Sequence, residues 1–225
     1  MTSPVTDRAP GHEAAPSAFW DAIGSQLRQP EGLPGALVGR LMALANAAPY
    51  RRAITALDVV RGDRVLEVGF GPGAALGTLA ERGAAKVCGL DPSHRMVHAA
   101  RKRYRRLIVS GRMELVHGAL PLMPWADKTF DKILLVNVLY FLDPVRGDLS
   151  ILRRALRPGG RLVLYATDRA TMRHWRFAGA DTHRTYTTKE CFGALAEAGF
   201  EKSDIHTAEL KLPFNITGFL ITCVG

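Results

Sequence analysis

The stretch Val65-Leu66-Glu67-Val68-Gly69-Phe70-Gly71-Pro72-Gly73 constrains the fold more than any other part of the chain. A run with strand character leads straight into glycines at alternate positions, and Ala74 to Arg82 then reads as a helix. Strand-to-helix turns of this kind bind nucleotides in doubly wound sheets. Glycine is needed there because a Cβ would hold the ligand off the backbone. Asp91 follows at the tip of the next strand, where a carboxylate can accept hydrogen bonds from both hydroxyls of a ribose.

The glycines alone leave the ligand open. Gly69-x-Gly71-x-x-Ala74 satisfies the loose dinucleotide fingerprint, so a nicotinamide or flavin enzyme has to be weighed. Such a ligand would set its pyrophosphate on the helix N-terminus. Glu67 stands beside that place, and a carboxylate repels pyrophosphate. A ligand with a sulfonium and an amino-acid end, such as S-adenosylmethionine, suits an acid there.

From Arg64 onward strands and helices alternate. Strands are expected at Arg64–Val68, Lys86–Leu90, Arg112–His117, Phe130–Asn137, Arg161–Ala166, Glu201–His206 and Asn215–Cys223. Helices are expected at Ala74–Arg82, Ser93–Leu107 with Ser93 as N-cap, Asp143–Leu156 and Thr188–Ala198. The pattern implies an α/β, Rossmann-like, doubly wound sheet of seven mostly parallel strands ending in an antiparallel hairpin. Residues 1–16 are rich in Pro, Ala, Ser and Thr and are expected to be a disordered tail. Residues 17–57 form an expected N-terminal helical cap, with helices at Phe19–Leu27, Ala36–Ala47 and Tyr50–Leu57. Residues 58–225 form the Rossmann-like domain, with a polar substrate loop over 168–187.

Composition narrows the setting. Cys88, Cys191 and Cys223 are odd in number and never form a CxxC pair, which argues against a zinc site and fits a reducing cytoplasm. No run of about 18 apolar residues is present, so no membrane span is expected. Thirty Lys and Arg against 21 Asp and Glu leave a net charge of +9, which favours anionic partners without choosing one. Much of the excess lies in Arg101-Lys102-Arg103-Tyr104-Arg105-Arg106, read first as a solvated helix face.

Several segments, in order, resemble the class I S-adenosylmethionine-dependent methyltransferases of the small-molecule type. Glu67-x-Gly69-x-Gly71-x-Gly73 looks like the family's first motif. Gly89-Leu90-Asp91-Pro92-Ser93, with Met96 and Ala99-Ala100-Arg101, is similar to the second. Gly118-Ala119-Leu120, with Met123-Pro124-Trp125 and Phe130-Asp131, resembles the third. Asn137-Val138-Leu139-Tyr140-Phe141-Leu142 matches the segment after the fourth strand, and Leu156-Arg157-Pro158-Gly159-Gly160 the turn into the fifth. The resemblance runs from about Arg64 to Phe200.

It implies direct transfer of the cofactor's methyl group to a small-molecule acceptor, an anionic compound or specialised metabolite among the candidates, with S-adenosylhomocysteine as product. It also implies the cofactor contacts. Glu67, Gly69, Phe70, Gly71 and Gly73 hold the methionine and ribose part, and Asp91 takes the ribose hydroxyls. Pro92 and Met96 lie against the adenine, Gly118, Ala119 and Leu120 form its far wall, and Asn137 lies by the methionine end. Position 119 is alanine where the family commonly has an aspartate that accepts from the adenine amino group.

Substrate contacts are expected from the cap and from the loops after the fourth and fifth strands. Phe19, Trp20, Tyr50, Tyr140, Arg173, His174, Trp175 and Arg176 are the candidates, against ordinary packing or an exposed loop. Tyr140 and His174 are the candidates for proton transfer, although positioning alone can carry methyl transfer. The arginines of the loop hint at an anionic acceptor. His94 and His98 stand four apart, but Arg95 replaces the acid of a zinc-protease motif, so no metal is expected. A nucleic-acid methyltransferase is the alternative reading. It lacks the Asn/Asp-Pro-Pro-aromatic tetrad, because Val138-Leu139-Tyr140 follows Asn137, so a nucleic-acid partner is disfavoured. A non-catalytic cofactor-binding protein is the other alternative. A monomer or a homodimer fits equally.

Overall fold

Strand β1 (Arg64–Val68) is buried from Val65 to Val68, as expected of a strand covered on both faces. In the computed structural model, which describes residues 47–142, 147–175, 184–213 and 215–225, it lies inside a seven-stranded sheet of order β3-β2-β1-β4-β5-β7-β6. The other strands are β2 (Lys86–Asp91), β3 (Met113–His117), β4 (Phe130–Val136), β5 (Leu156–Thr167), β6 (His206–Leu212) and β7 (Ile216–Val224). The first five pair in parallel, and β7 runs antiparallel to both β5 and β6. Strand order reverses between β1 and β4, which opens the crevice where doubly wound sheets bind ligands.

Helices cover both faces. On one, Ala53, Ile54 and Leu57 of α1 (Ala47–Leu57) pack with Leu76 and Leu79 of α2 (Ala74–Glu81) and with Val97 and Ala100 of α3 (His94–Arg103) over Val65, Leu134 and Val163. After the short α4 (Arg105–Val109), the opposite face takes Leu149 and Leu152 of α5 (Asp148–Ala155) and Met172 of the short α6 (Arg169–Met172). It also takes Cys191 and Leu195 of α7 (Thr188–Glu197), all over Leu66, Leu135, Leu164 and Phe219. The three cysteines are buried and unpaired, and burial pushes the thiols of Cys88 and Cys223 up to about 12.

Four expectations are corrected. The helix expected over Ser93–Leu107 breaks at Tyr104, whose hydroxyl donates to the Gly73 carbonyl at 2.7 Å and ties α3 to the glycine turn. The strand expected over Glu201–His206 is a 3₁₀ turn at Lys202–Asp204, and β6 starts only at His206. The fifth strand begins at Leu156 rather than Arg161, with a register irregularity opposite Phe130 and Lys132. Helix α5 starts at Asp148, after Gly147 at φ 76°, rather than at Asp143. The helices expected at Phe19–Leu27 and, save its last residue, Ala36–Ala47 lie outside the described residues, as do the tail and residues Phe19, Trp20 and Arg176.

Candidate functional site

The tips of β1 and β2 bring together two buried carboxyl groups. Asp91 ends β2 and is 5% exposed. Its Oδ2 accepts the Gly71 N–H at 2.7 Å and its Oδ1 accepts the Ser93 N–H at 2.8 Å. Each oxygen keeps a lone pair for a further donor. Burial raises its pKa, and the two backbone bonds oppose that rise.

Glu67 is 1% exposed, between Gly89 and Leu134 of the neighbouring strands, and among the described residues neither carboxyl oxygen has a hydrogen-bond partner. Burial pushes its pKa up to about 8. The Tyr50 phenol on α1 acts against that rise, without hydrogen-bond geometry to either oxygen, and Asp91 adds to it.

Gly69 and Gly71 shape the turn between these acids. Both have positive φ, at 65° and 52°. The Gly69 N–H donates to the Leu90 carbonyl at 2.7 Å, locking the turn to β2. A Cβ on Gly69 would lie 2.5 Å from Val138 Cγ2, whereas a Cβ on Gly71 would meet nothing within 4 Å. The open space over Gly71 lies beside Asp91, as a ligand cradle requires. Phe70 differs from its neighbours. Its side chain is fully buried over Gly89, so only its backbone faces the cradle.

The remaining expected cofactor residues surround this point. Met96 is buried, and its N–H is capped by Ser93 Oγ. Pro92 is exposed, and its carbonyl lies 2.9 Å from His117 Nε2. The Gly118 N–H donates to the Asp91 carbonyl at 3.0 Å, Ala119 is exposed and Leu120 is buried.

Asn137, just past β4, has φ 56°, a backbone that asparagine tolerates better than most residues. Its Oδ1 accepts from the Tyr140 hydroxyl at 2.7 Å and from Thr167 Oγ1 at 3.4 Å. The Thr167 N–H in turn donates to the Tyr140 oxygen at 2.5 Å. The Tyr140 hydroxyl thus gives its proton to Asn137 and a lone pair to Thr167; burial raises its pKa, and the bond from Thr167 opposes that rise. It works as a brace between the tips of β4 and β5. Tyr140→Phe removes both bonds and leaves the buried Thr167 N–H unpaired, which costs about 2 kcal/mol of unfolding free energy. Urea denaturation measures this, and a change under about 0.5 kcal/mol would contradict the brace. Thr167 was not singled out from sequence. Thr167 is the last residue of its strand, and nothing local marks it.

His174 and Trp175 stand elsewhere on the same sheet edge. They line a groove with Asp168, Thr171, Thr188, Glu209, Asn215 and Thr217 at the start of β7. Three strand spacings of about 4.8 Å separate β1 from β7, so the groove is on the order of 14 Å from the glycine turn. The Thr171 hydroxyl bonds both the carbonyl and the N–H of Thr217 and fixes α6 to β7. Arg169 is committed to Glu190 and Thr185, and the exposed Arg173 donates to His174 Nε2 at 3.4 Å. The side chains of Arg169 and Arg173 are thus engaged with neighbours on this side of the sheet. Among the described residues no group of three His, Cys, Asp or Glu could hold a metal ion, and no helix is long and apolar enough to cross a membrane.

A doubly wound sheet with a glycine turn after its first strand and an acid at the tip of its second defines a Rossmann-like, nucleotide-binding class of enzyme. Residues 66–164 match a family model described as a methyltransferase domain. A demethylmenaquinone methyltransferase of Tropheryma whipplei is 42% identical over 124 residues, 55% of this chain and 50% of that protein. The chain thus spans about half the length of that relative. A methyltransferase of Bacillus subtilis, YdaC, is 29% identical over 78% of this chain and 92% of its own. The N-methyltransferase NodS of Bradyrhizobium japonicum, solved with S-adenosylhomocysteine, has the same fold at a TM-score of 0.65 and 20% identity, over 80% of this chain and 86% of that one.

Proposed function

We propose that the chain binds S-adenosylmethionine at the tips of β1 and β2 and transfers its methyl group to a small-molecule acceptor. The observation that carries this reading is the pairing of Glu67, a buried acid with no partner among the described residues, with Asp91, a buried acid anchored to the glycine turn. The first suits an ammonium group and the second the hydroxyls of a ribose. A pyrophosphate would bring a further negative charge to Glu67 rather than the positive charge that its buried carboxyl lacks. Met96 and Leu120, with Gly118 and Ala119, would frame the adenine.

When bound, the cofactor supplies a methyl carbon activated by a positive sulfur, which an acceptor nucleophile displaces directly. The residues of the chain orient and enclose. Asp91 fixes the ribose, Glu67 fixes the amino end, and the Asn137–Tyr140–Thr167 brace holds the wall between β4 and β5. Tyr140 serves there as a positioning residue, because its hydroxyl already spends its proton on Asn137. Positioning in a dry site supplies most of the acceleration. His174 and Trp175 belong to a separate wall, the groove at the start of β7, and meet an acceptor only if it extends past β5.

The test is transfer of labelled methyl from S-adenosylmethionine to a panel of acceptors by the purified chain. Demethylmenaquinone comes first, because a relative is named for it. Label appearing in any small acceptor, and lost with Asp91→Ala, supports the reading. Label appearing only in added RNA or DNA would move the acceptor class to nucleic acid.

A further inference from the structure

Glu67 is an unusual acid for a resting protein. Its carboxyl is 1% exposed, both oxygens lack a hydrogen-bond donor among the described residues, and the neighbouring carboxyl is that of Asp91. An ionised carboxylate so placed carries a heavy desolvation penalty that the Tyr50 phenol offsets only in part. Among the described residues the groups that act on it are few. Tyr50 faces it from α1, Asp91 from β2, and Tyr104 senses it from the α3–α4 junction. The flanking strands present only Gly89 and Leu134. None of these brings a positive charge.

We infer that Glu67 rests as a neutral acid and gives up its proton when the cofactor's ammonium group arrives, so that it selects ligands carrying a cation at that end. The inference rests on the reading that an S-adenosyl ligand binds here. The step balances. The carboxyl O–H bond breaks, its proton leaves to solvent, and the carboxylate left behind pairs with an ammonium group that keeps all its own protons. Cofactor binding is then proton release, and a nucleoside lacking the amino-acid end gains nothing from Glu67.

Two consequences have opposite signs. The apparent affinity for S-adenosylhomocysteine rises as pH climbs, by close to tenfold per unit below about 8, and levels off above it. The unliganded protein behaves in reverse. Its Glu67 pKa is raised from 4.5 to about 8, so between those values the folded state holds a proton that the unfolded state has lost. The stability Glu67 contributes is therefore present below 4.5 and falls as pH rises through about 8.

The experiment is calorimetric titration of the whole chain at pH 7 with S-adenosylhomocysteine and, separately, with 5′-methylthioadenosine, in phosphate and in Tris. These buffers differ widely in ionisation enthalpy. Release of close to one proton with S-adenosylhomocysteine, and close to none with 5′-methylthioadenosine, is the expected result. Glu67→Gln should bind S-adenosylhomocysteine more weakly and release no proton, and its unliganded melting temperature should depend less on pH between 5 and 8. Equal enthalpies in both buffers, or undiminished release from Glu67→Gln, would overturn the inference and leave the cofactor reading standing. Failure of the folded wild type to bind S-adenosylhomocysteine would overturn both.

Discussion

Asp91→Ala weakens S-adenosylhomocysteine binding by a hundredfold or more. The substitution removes the acceptor for two ribose hydroxyls, and hydrogen bonds to a charged group are worth about 1.5–3 kcal/mol each. Two of them amount to about 3–6 kcal/mol, or more than two decades in Kd at about 1.4 kcal/mol per decade. The same change leaves the Gly71 and Ser93 N–H groups without their acceptor, so the glycine turn loosens as the ligand contact is lost. Asp91→Asn separates these effects. It keeps one acceptor oxygen but turns an NH₂ toward one of the two backbone donors, so it should damage the turn nearly as much while keeping part of the ribose contact. Calorimetry gives the affinities, and a loss below fivefold for Asp91→Ala would put the ribose elsewhere.

The largest effect on stability is expected at Gly69. Alanine there faces two costs. The backbone sits at φ 65°, a region that costs a residue with a Cβ about 1–2 kcal/mol. The new methyl would also press on Val138 Cγ2 at 2.5 Å, and the branched valine has little rotamer freedom with which to retreat. Overpacking of this kind adds about 1–3 kcal/mol. A total of about 3 kcal/mol lowers the melting temperature by roughly 8 °C for a chain of this size. Gly71→Ala is the informative companion. It carries the backbone cost at φ 52°, but its methyl meets nothing within 4 Å, so the melting temperature falls only about half as far. The methyl then projects into the space kept for the ligand, and binding is lost from a protein that is still well folded. Equal melting temperatures for the two variants would refute the contact between Gly69 and Val138.

These two glycines show why the cradle was legible in the sequence. The alternation of glycines, the acid before them and Asp91 one strand later are all local features, and each has a single physical purpose. The parallel core was legible too, because β1, β2 and β4 are buried on both faces and therefore apolar almost throughout. The edge strand β6 was not. From His206 to Leu212 none of its residues is fully buried, so no alternation marks it, and the expected strand drifted onto the turn before it. The break at Tyr104 was hidden for another reason. Every residue from His94 to Val109 tolerates a helix, and what ends α3 there is a contact with Gly73, 31 residues earlier. Long-range bonds likewise hid the role of Tyr140. In sequence it is an aromatic residue beside a candidate pocket, and only its bonds to Asn137 and Thr167 show that its hydroxyl is already committed.

The most direct test of the account is a crystal structure of the chain with S-adenosylhomocysteine. The predicted complex places the amino nitrogen within hydrogen-bond distance of Glu67 and both ribose hydroxyls on Asp91, with the chain of the ligand crossing Gly69 to Gly71. An adenosine bound away from Asp91, or an amino end turned away from Glu67, would contradict the assignment of the cradle and with it the function proposed for the chain.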